Sequence, residues 1–118
     1  LGHLNAHGTG TPANDATESK ALLALCGEEA GSRIPVTSVK GTTGHPPGAA
    51  GAIEAIVPAL SVMNDCVPPT AGFAEADPEC PVSVVTEAKT GYPQKVALSN
   101  SLGFGGHNAS LALSPYRA

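Results

Sequence analysis

The chain has 118 residues, which is room for one small domain rather than two. Its 6 basic and 10 acidic side chains leave a net charge of −4, which argues against a nucleic-acid or anionic-membrane surface, because both need clustered Lys and Arg. With two Phe, two Tyr and no Trp, the chain also lacks the aromatic platforms on which single-stranded nucleic acids stack.

The first predicted elements are a short strand and a helix. Leu1–Ala6 is typical of the end of a short strand, and Thr9–Ala13 of a turn. Asn14 or Asp15 then caps a helix, because Asp15 and Glu18 have the spacing of a capping box. The sequence therefore places the helix start at Asn14 or Asp15.

The middle of the chain predicts a buried strand, a loop and a second helix. Pro35–Val39 is a β-branched run typical of a buried strand, and Lys40–His45 is a glycine-bearing loop. The second helix is expected to begin near Pro46, since proline suits the first turn, and to end near Met63. Pro58 is expected to kink this helix, because proline removes one backbone donor.

The last part of the chain predicts a loop and three short strands. Ala71–Pro81 is typical of a loop, and Val82–Val85 of an edge strand. Lys95–Ser99 and Ala109–Leu113 are two further strands, joined by the glycine-rich segment Leu102–His107. Apart from the short edge strand, the order β-α-β-α-β-β predicts an α/β fold, with helices packed on a mixed sheet.

Several features bear on the setting of the chain. No apolar run approaches the ~20 residues that a membrane-spanning helix needs, and residues 1–10 show no secretory signal. Three cysteines without a CxxC pair favour a reducing, cytoplasmic setting over a disulfide framework. Because the chain starts at Leu1 and its only methionine is Met63, we expect it to be part of a longer polypeptide.

Polar side chains follow three of the predicted strands. His7 follows the first strand, Lys40 and His45 follow the second, and Phe104 follows the strand that contains Leu98. Ligand sites of open α/β sheets gather at the carboxyl ends of strands, so the three loops are expected to meet at one pocket. Two histidines and a lysine there favour stabilisation of a developing enolate or oxyanion. The alternative is that His7 and His45 only satisfy local backbone groups.

The charge state of His45 is central to this interpretation. His45 directly precedes the predicted helix start, where the partial positive charge disfavours imidazolium by ~1 kcal/mol or less, and Lys40 acts in the same direction. A neutral His45 donates one hydrogen bond, which suits an enolate or oxyanion oxygen.

Other chemistries fit the sequence less well. His3 and His7 are four residues apart, but no carboxylate or cysteine completes a metal-ligand set beside them. Thr43–Gly51 is similar to a dehydrogenase glycine loop, but its last glycine is one residue late for that pattern. The cysteines lack the helix N-terminus or adjacent cation that activates a nucleophilic thiol. Phe104, among flexible glycines, is either a mobile gate whose backbone amide donates to an oxyanion or the core side chain of a tight hairpin.

Six segments of the chain together resemble a known family. They are Asn5–Pro12, Ser38–His45, Gly48–Ala55, Pro68–Thr70, Asp77–Cys80 and Ser99–Asn108. In order and spacing they resemble the C-terminal part of the β-ketoacyl–acyl-carrier-protein synthases, the condensing enzymes of fatty acid and polyketide synthesis. The resemblance runs from Leu4 to Leu113 and is to the chain-elongating type with a Cys-His-His site, more than to the initiating type with Cys-His-Asn.

The resemblance implies a thiolase-like α/β fold, of which residues 1–118 form the second of two similar half-domains, incomplete at its N-terminus. It implies a decarboxylative Claisen condensation between an acyl thioester and malonyl-acyl-carrier protein. No metal or cofactor is implied, because the acyl carrier protein brings the pantetheine arm. The implied partners are that carrier, the N-terminal half with the nucleophilic cysteine, and a second subunit in a homodimer or heterodimer. Because no cysteine here matches that nucleophile, this chain alone is expected to be inactive.

The resemblance also assigns the central site residues. By motif position, His7 and His45 are the two catalytic histidines, which hydrogen-bond the malonyl thioester oxygen as the enolate forms. Lys40 organises the site, with Glu54 as its charge partner. The alternative is a non-catalytic ketosynthase-like subunit, similar to a chain-length factor, although such a subunit has no physical need for the two histidines and the lysine.

The remaining assignments concern the substrate. Thr9 and Thr11 are implied to contact the pantetheine arm. Phe104 is implied to be the gate of the acyl pocket, with its backbone N–H as one oxyanion donor. Pro47 and Pro58 depart from the family pattern, which has helix-compatible residues at both positions.

Overall fold

The structure, a computed structural model, describes residues 1–116. Helices and strands alternate through the first two thirds of the chain, and a long hairpin ends it. The helices are α1 (Pro12–Cys26), α2 (Glu28–Gly31), α3 (Lys40–Thr43) and α4 (Ala50–Met63). The strands are β1 (His3–Asn5), β2 (Pro35–Thr37), β3 (Cys66–Val67), β4 (Ser83–Val84), β5 (Lys89–Thr90), β6 (Ala97–Gly103) and β7 (His107–Leu113).

A mixed five-stranded sheet forms the centre of the fold. Its order is β4-β2-β1-β6-β7, in which β1 pairs in parallel with β2 and β6, β4 pairs in parallel with β2, and β7 is antiparallel to β6. β3 and β5 form a separate antiparallel pair. The mixed sheet with packed helices confirms the predicted α/β class, and the edge position of β4 confirms the prediction for that strand.

Two helices cover the sheet with different kinds of side chain. The small apolar core contains Leu22 of α1 together with Leu4 and Val36 of the two central strands. In α4, by contrast, the buried positions recur every three or four residues and include polar groups, Glu54 and Ser61 among them. This face of α4 therefore buries polar side chains beside the sheet. No helix within residues 1–116 has the length and apolar character needed to cross a membrane.

Two helix starts differ from those predicted. α1 begins at Pro12, with Thr11 as its N-terminal flank and no side-chain cap, because a proline in the first turn needs no backbone partner. The predicted cap at Asn14 or Asp15 is therefore wrong. α4 begins at Ala50 rather than near Pro46, since the segment between them forms a turn in which the Ala50 N–H donates to the Pro46 carbonyl at 2.8 Å.

The segment predicted as the loop Lys40–His45 contains a helical turn. Thr43 N–H donates to the Val39 carbonyl at 3.0 Å, and Gly44 N–H to the Lys40 carbonyl at 2.9 Å. Gly44 ends the turn with a φ of 69°, a backbone conformation that glycine adopts without steric cost. The turn α3 begins at Lys40, three residues beyond the end of β2.

Candidate active site

Lys40 is the centre of a buried polar cluster. Its Nζ lies 2.5 Å from Glu54 Oε1, 2.5 Å from the His7 carbonyl oxygen and 3.3 Å from His7 Nδ1. An ammonium group has three hydrogens and no acceptor, so these contacts use its full hydrogen-bonding capacity. Lys40 and Glu54 form a buried ion pair, so each of these two groups has a partner of opposite charge inside the fold. The structure thus brings together the expected Lys40, Glu54 and His7.

The contact with Lys40 determines the tautomer of His7. Because Lys40 Nζ only donates, His7 Nδ1 accepts, and the hydrogen of the neutral ring is on Nε2. Burial lowers the pKa of His7 below its ordinary value of 6.5, and the neighbouring Lys40 charge lowers it further. His7 is therefore a neutral imidazole with one N–H available to a substrate oxygen.

His45 approaches His7 from the end of the α3 turn. The two ring centroids are 5.3 Å apart, and the ring planes meet at 82°, so the edge of one ring faces the other. His45 is exposed, whereas His7 is buried. α4 begins only at Ala50, so His45 lies five residues before the helix rather than directly before it as predicted.

Glu18 holds the His7 segment in place, a role that the sequence analysis missed. Its Oε1 accepts the backbone N–H of His7 at 2.9 Å, and its Oε2 accepts the N–H of Gly8 at 2.7 Å. The side-chain amides of Asn14 and Asn100 donate to the same carboxylate. The spacing of Glu18 from Asp15 indicates a capping box instead. Neither that spacing nor the polar strand residue Asn100 gave a signal for this buried interaction.

Thr9 and Thr11 lie at an open cleft beside the cluster. Their Oγ1 atoms are 3.0 Å apart, and both residues line a cleft of about 680 Å³ that also borders Lys40 and His45. Gly8 precedes them with a φ of 48°, and a Cβ there would lie 2.5 Å from the Ser38 side chain. The close packing of Gly8 and Ser38 therefore fixes where the threonine segment leaves the sheet.

Phe104 lies apart from the cluster. It occupies the turn between β6 and β7, and its side chain is 103% exposed. Ser99 of β6 pairs with Asn5 of β1. His7 is two residues beyond this pair, whereas Phe104 is five residues beyond it. At the rise of a strand, these three additional residues place Phe104 about 10 Å farther along the sheet than His7. Asn100 of β6, rather than Phe104, is linked to the His7 segment, because its side-chain amide donates to the Glu18 carboxylate that holds that segment.

Two further observations on the described part of the chain concern metal ligands and cysteines. Among residues 1–116, no group of three or more His, Cys, Asp or Glu side chains is arranged to hold a metal ion. Cys26, Cys66 and Cys80 are free and half-buried. None of them is among the hydrogen-bonded side-chain groups around Lys40.

Comparison with known proteins identifies close relatives. Residues 1–74 match the family described as Beta-ketoacyl synthase, C-terminal domain. The chain is 44% identical over 117 residues to 3-oxoacyl-[acyl-carrier-protein] synthase 2 of Synechocystis sp., covering 99% of this chain and 28% of that protein. It is 46% identical over 116 residues to the protein of the same name from Staphylococcus aureus, covering 98% of this chain and 28% of that protein.

Solved structures give the same result at the level of the fold. The ishigamide ketosynthase/chain length factor superposes with a TM-score of 0.89 at 38% identity, over 99% of this chain and 28% of that one. A ketosynthase of a type II polyketide synthase, solved with its acyl-carrier protein, superposes with a TM-score of 0.91 at 34% identity and the same coverage. The chain thus spans just over a quarter of the length of these relatives. With this sequence match and this partial thiolase-like fold, the chain belongs to the β-ketoacyl synthase family and corresponds to its C-terminal domain.

Proposed function

We propose that this chain supplies the C-terminal part of the active site of a β-ketoacyl-acyl-carrier-protein synthase. The reaction is a decarboxylative Claisen condensation of an acyl thioester with malonyl-acyl-carrier protein, in fatty acid or polyketide synthesis. The observation that carries the proposal is the arrangement of Lys40, which contacts His7 and Glu54 while the ring of His45 lies beside that of His7. This arrangement is suited to an oxygen that gains negative charge.

The two histidines act on the malonyl thioester. The bond to its carboxylate breaks, carbon dioxide leaves, and the electron pair becomes an enolate with charge on the thioester oxygen. His7 Nε2–H donates to that oxygen, and His45 provides the second donor. The enolate carbon then attacks the acyl carbonyl carbon, and the cysteine thiolate that carried the acyl group leaves. This series of steps needs no metal or cofactor, because the carboxylate leaves as carbon dioxide and its electron pair forms the enolate.

Lys40 and Glu54 maintain the state of His7 that this step requires. The ammonium of Lys40 occupies Nδ1 and so keeps the ring hydrogen on Nε2, which faces away from Lys40. Glu54 balances the buried positive charge. Both residues are positioning residues in this proposal, because they act on the substrate through His7.

The substrate arm enters along the threonine segment. Thr9 and Thr11 line the cleft that borders Lys40 and His45, and their hydroxyl groups offer both donors and acceptors to an amide-containing pantetheine. Phe104 is the proposed gate of the acyl pocket. Because it lies in an exposed turn between two glycine-rich flanks, it acts there only if the turn moves or a further part of the protein encloses it.

The proposed partners are the acyl carrier protein and an N-terminal half that carries the nucleophilic cysteine. The carrier is supported by the related ketosynthase solved in complex with its acyl-carrier protein. A second half is supported by α4, where Ile53, Ile56, Leu60 and Met63 form an exposed apolar stripe. Spaced three or four residues apart, they share one helix face that is suited to packing against another part of the protein.

A non-catalytic subunit similar to a chain-length factor is the second candidate. It is supported by the likeness to the ishigamide ketosynthase/chain length factor, whose name pairs the two functions. The intact Lys40 cluster favours the enzyme, because a subunit that only shapes a cavity has no use for a buried lysine that fixes a histidine tautomer.

Condensation assays test the proposal. The chain is joined to the remainder of its protein, or mixed with that part as a separate chain, and supplied with acyl and malonyl carrier substrates. His7→Ala and His45→Ala should each lower the rate by about 10² or more, the usual cost of one lost oxyanion donor. Lys20→Ala, on the exposed side of α1, is the matched control and should keep the rate. Full activity of His7→Ala, or condensation by residues 1–118 alone, contradicts the proposal.

A further inference from the structure

A second buried polar cluster joins β1 to α4. His3 of β1 is completely buried, and its Nδ1 lies 3.2 Å from Ser61 Oγ of α4. Gln94 Nε2 donates to Ser61 Oγ at 2.8 Å and to the Cys66 carbonyl at 3.1 Å. The Ser61 hydroxyl also donates to the Cys66 carbonyl. These four residues, the His3 latch, connect β1, α4, β3 and the segment that leads into β6.

The hydrogen bonds of Ser61 determine the tautomer of His3. A hydroxyl has one hydrogen, and that of Ser61 is used by the Cys66 carbonyl. Ser61 Oγ therefore accepts from both Gln94 and His3, so the ring hydrogen of His3 is on Nδ1. Within the described residues, His3 Nε2 is left as a buried lone pair without a partner. This tautomer is the opposite of the one that Lys40 gives to His7.

We propose that the His3 latch is an acid-sensitive connection between β1 and α4, closed while His3 is neutral and released when His3 is protonated. Protonation adds a hydrogen at Nε2, where the described part of the chain offers no acceptor. A buried charge without a partner is strongly unfavourable, so the protein gains by exposing the ring. Exposure requires His3 to leave Ser61, which separates the strand from the helix.

Among residues 1–116, the elements packed against His3 provide no unpaired negative charge to compensate a protonated His3 ring. β2 and β6, which flank β1, contain no charged residue, and the only charged residue of α4 is Glu54, which is paired with Lys40. Asp65 and Lys95, the charged neighbours of Cys66 and Gln94 in the chain, are exposed.

Three further titratable groups lie near the latch. Cys66 itself enters it through its carbonyl, and Tyr92 is half-buried, with its backbone N–H bonded to the Asp65 carbonyl. The amino group of Leu1 lies two residues before His3 on an exposed residue, and any charge that it carries is positive, like that of a protonated His3. Burial accordingly lowers the pKa of His3 to about 4.

Release of the latch affects the candidate active site through the backbone. His3 on β1 is four residues before His7, which lies just beyond that strand, and Ser61 is seven residues, two helical turns, after Glu54 on α4. Separating β1 from α4 therefore moves His7 relative to the Lys40–Glu54 pair. The proposed latch is independent of the proposed reaction, because its release is measured through folding stability and not through condensation activity.

The sign of the pH effect follows from proton binding. The unfolded chain takes up a proton at His3 near pH 6.5, whereas the folded protein does so only near pH 4. Stability from neutral His3 is therefore complete above about pH 6.5 and declines as the pH falls toward 4. From His3 alone, the unfolding equilibrium constant should be about 30-fold larger at pH 5 than at pH 8.

Chemical denaturation of the intact protein at pH 8 and pH 5 tests this inference. His3→Asn keeps an N–H donor for Ser61 without a titratable ring, and His3→Phe keeps most of the volume without the donor. Both variants should lose the 30-fold contribution, whereas His107→Gln, at an exposed histidine of β7, should retain it. His7 adds a pH effect of the same sign, because its pKa is also lowered. The contribution of His3 is therefore measured as the difference in pH dependence between each variant and the unsubstituted protein. An unchanged pH dependence in His3→Asn and His3→Phe overturns the proposal.

A second measurement applies if the variants fail to fold. Histidine ring-nitrogen NMR of the unsubstituted protein should show His3 neutral, with its hydrogen on Nδ1, from pH 8 down to pH 5. A folded-state His3 that becomes protonated near its ordinary pKa of 6.5, without loss of structure, overturns the proposal.

Discussion

At the scale of single residues, one ammonium group links charge, tautomer and position. Lys40 contacts the side chain of Glu54, the ring of His7 and the backbone of His7, so it defines both where the histidine lies and which nitrogen carries its hydrogen. Glu18 fixes the same segment from the other side by accepting the backbone N–H groups of His7 and Gly8. Two buried side chains of opposite charge type therefore hold His7 in place from two sides.

Removing one member of the buried ion pair should destabilise the fold strongly. Lys40→Met leaves the Glu54 carboxylate buried without a cation, which costs about 3–5 kcal/mol in comparable pairs. Adding Glu54→Gln removes the unpaired charge and should recover a large part of the loss. The free energy of unfolding from urea titrations of both variants measures this. Equal stability of the single and double variants would show that the pair is not buried as described.

Glu18→Gln should also be destabilising, although it changes only one oxygen to an amide. Each carboxylate oxygen accepts one backbone N–H, and the new NH₂ group would face one of these donors. A buried donor without an acceptor costs about 1–3 kcal/mol. The matched control is Glu29→Gln, whose exposed pair with Arg33 should contribute about 1 kcal/mol or less. Urea titration distinguishes the two, and a Glu18→Gln effect as small as the control would refute this role.

At the scale of elements, the helical turn α3 sets the height of Lys40 above the sheet. Gly41 lies against the loop at Ala71, where a Cβ would be only 2.0 Å from the carbonyl oxygen. The chain therefore needs glycine at this position, next to the central lysine. The sequence predicted only a glycine-bearing loop here, because the pattern K-G-T-T has no helical periodicity and the turn depends on contacts with Val39 and Ala71.

Gly41→Ala should shift α3 or the loop around Ala71, because the added methyl group overlaps backbone atoms rather than a mobile side chain. Overpacking of this kind costs about 1–3 kcal/mol, and it should also lower condensation activity by displacing Lys40. Gly48→Ala is the control, since a Cβ there has no neighbour within 4 Å among the residues that the structure describes. Thermal unfolding and activity of the two variants should differ, and a fully stable and active Gly41→Ala would contradict the packing.

At the scale of the whole molecule, the parallel order of β1, β2 and β6 explains why distant segments meet. The sequence predicted that His7 and Lys40 would share an edge, because both directly follow buried strands. It also predicted Phe104 at that edge, whereas β6 continues through residues 99–101, a polar run with no strand pattern of its own, so that the turn with Phe104 lies farther along. The sequence also did not predict that Glu18 holds the His7 segment, because the four hydrogen bonds of Glu18 involve residues far apart in the chain as well as a neighbour on α1.

The exposed stripe of α4 gives a prediction at the same scale. Ile56 is 56% exposed, so in residues 1–118 alone Ile56→Asp should leave the fold intact. In the protein that also contains the proposed N-terminal half, the same change should destabilise the assembly, because a carboxylate would be buried without a partner. Thr17→Asp, at an exposed position of α1, is the control. Thermal unfolding of both forms measures the difference, and an Ile56→Asp assembly as stable as the control would mean that the stripe stays exposed.

The central claim is that Lys40 makes His7 a neutral donor through Nε2. Histidine ring-nitrogen NMR of the intact protein at pH 7 tests it most directly. We expect a neutral His7 ring with its hydrogen on Nε2, opposite to the tautomer expected for His3 in the same spectrum. A His7 ring with its hydrogen on Nδ1, or a charged ring at that pH, would contradict it.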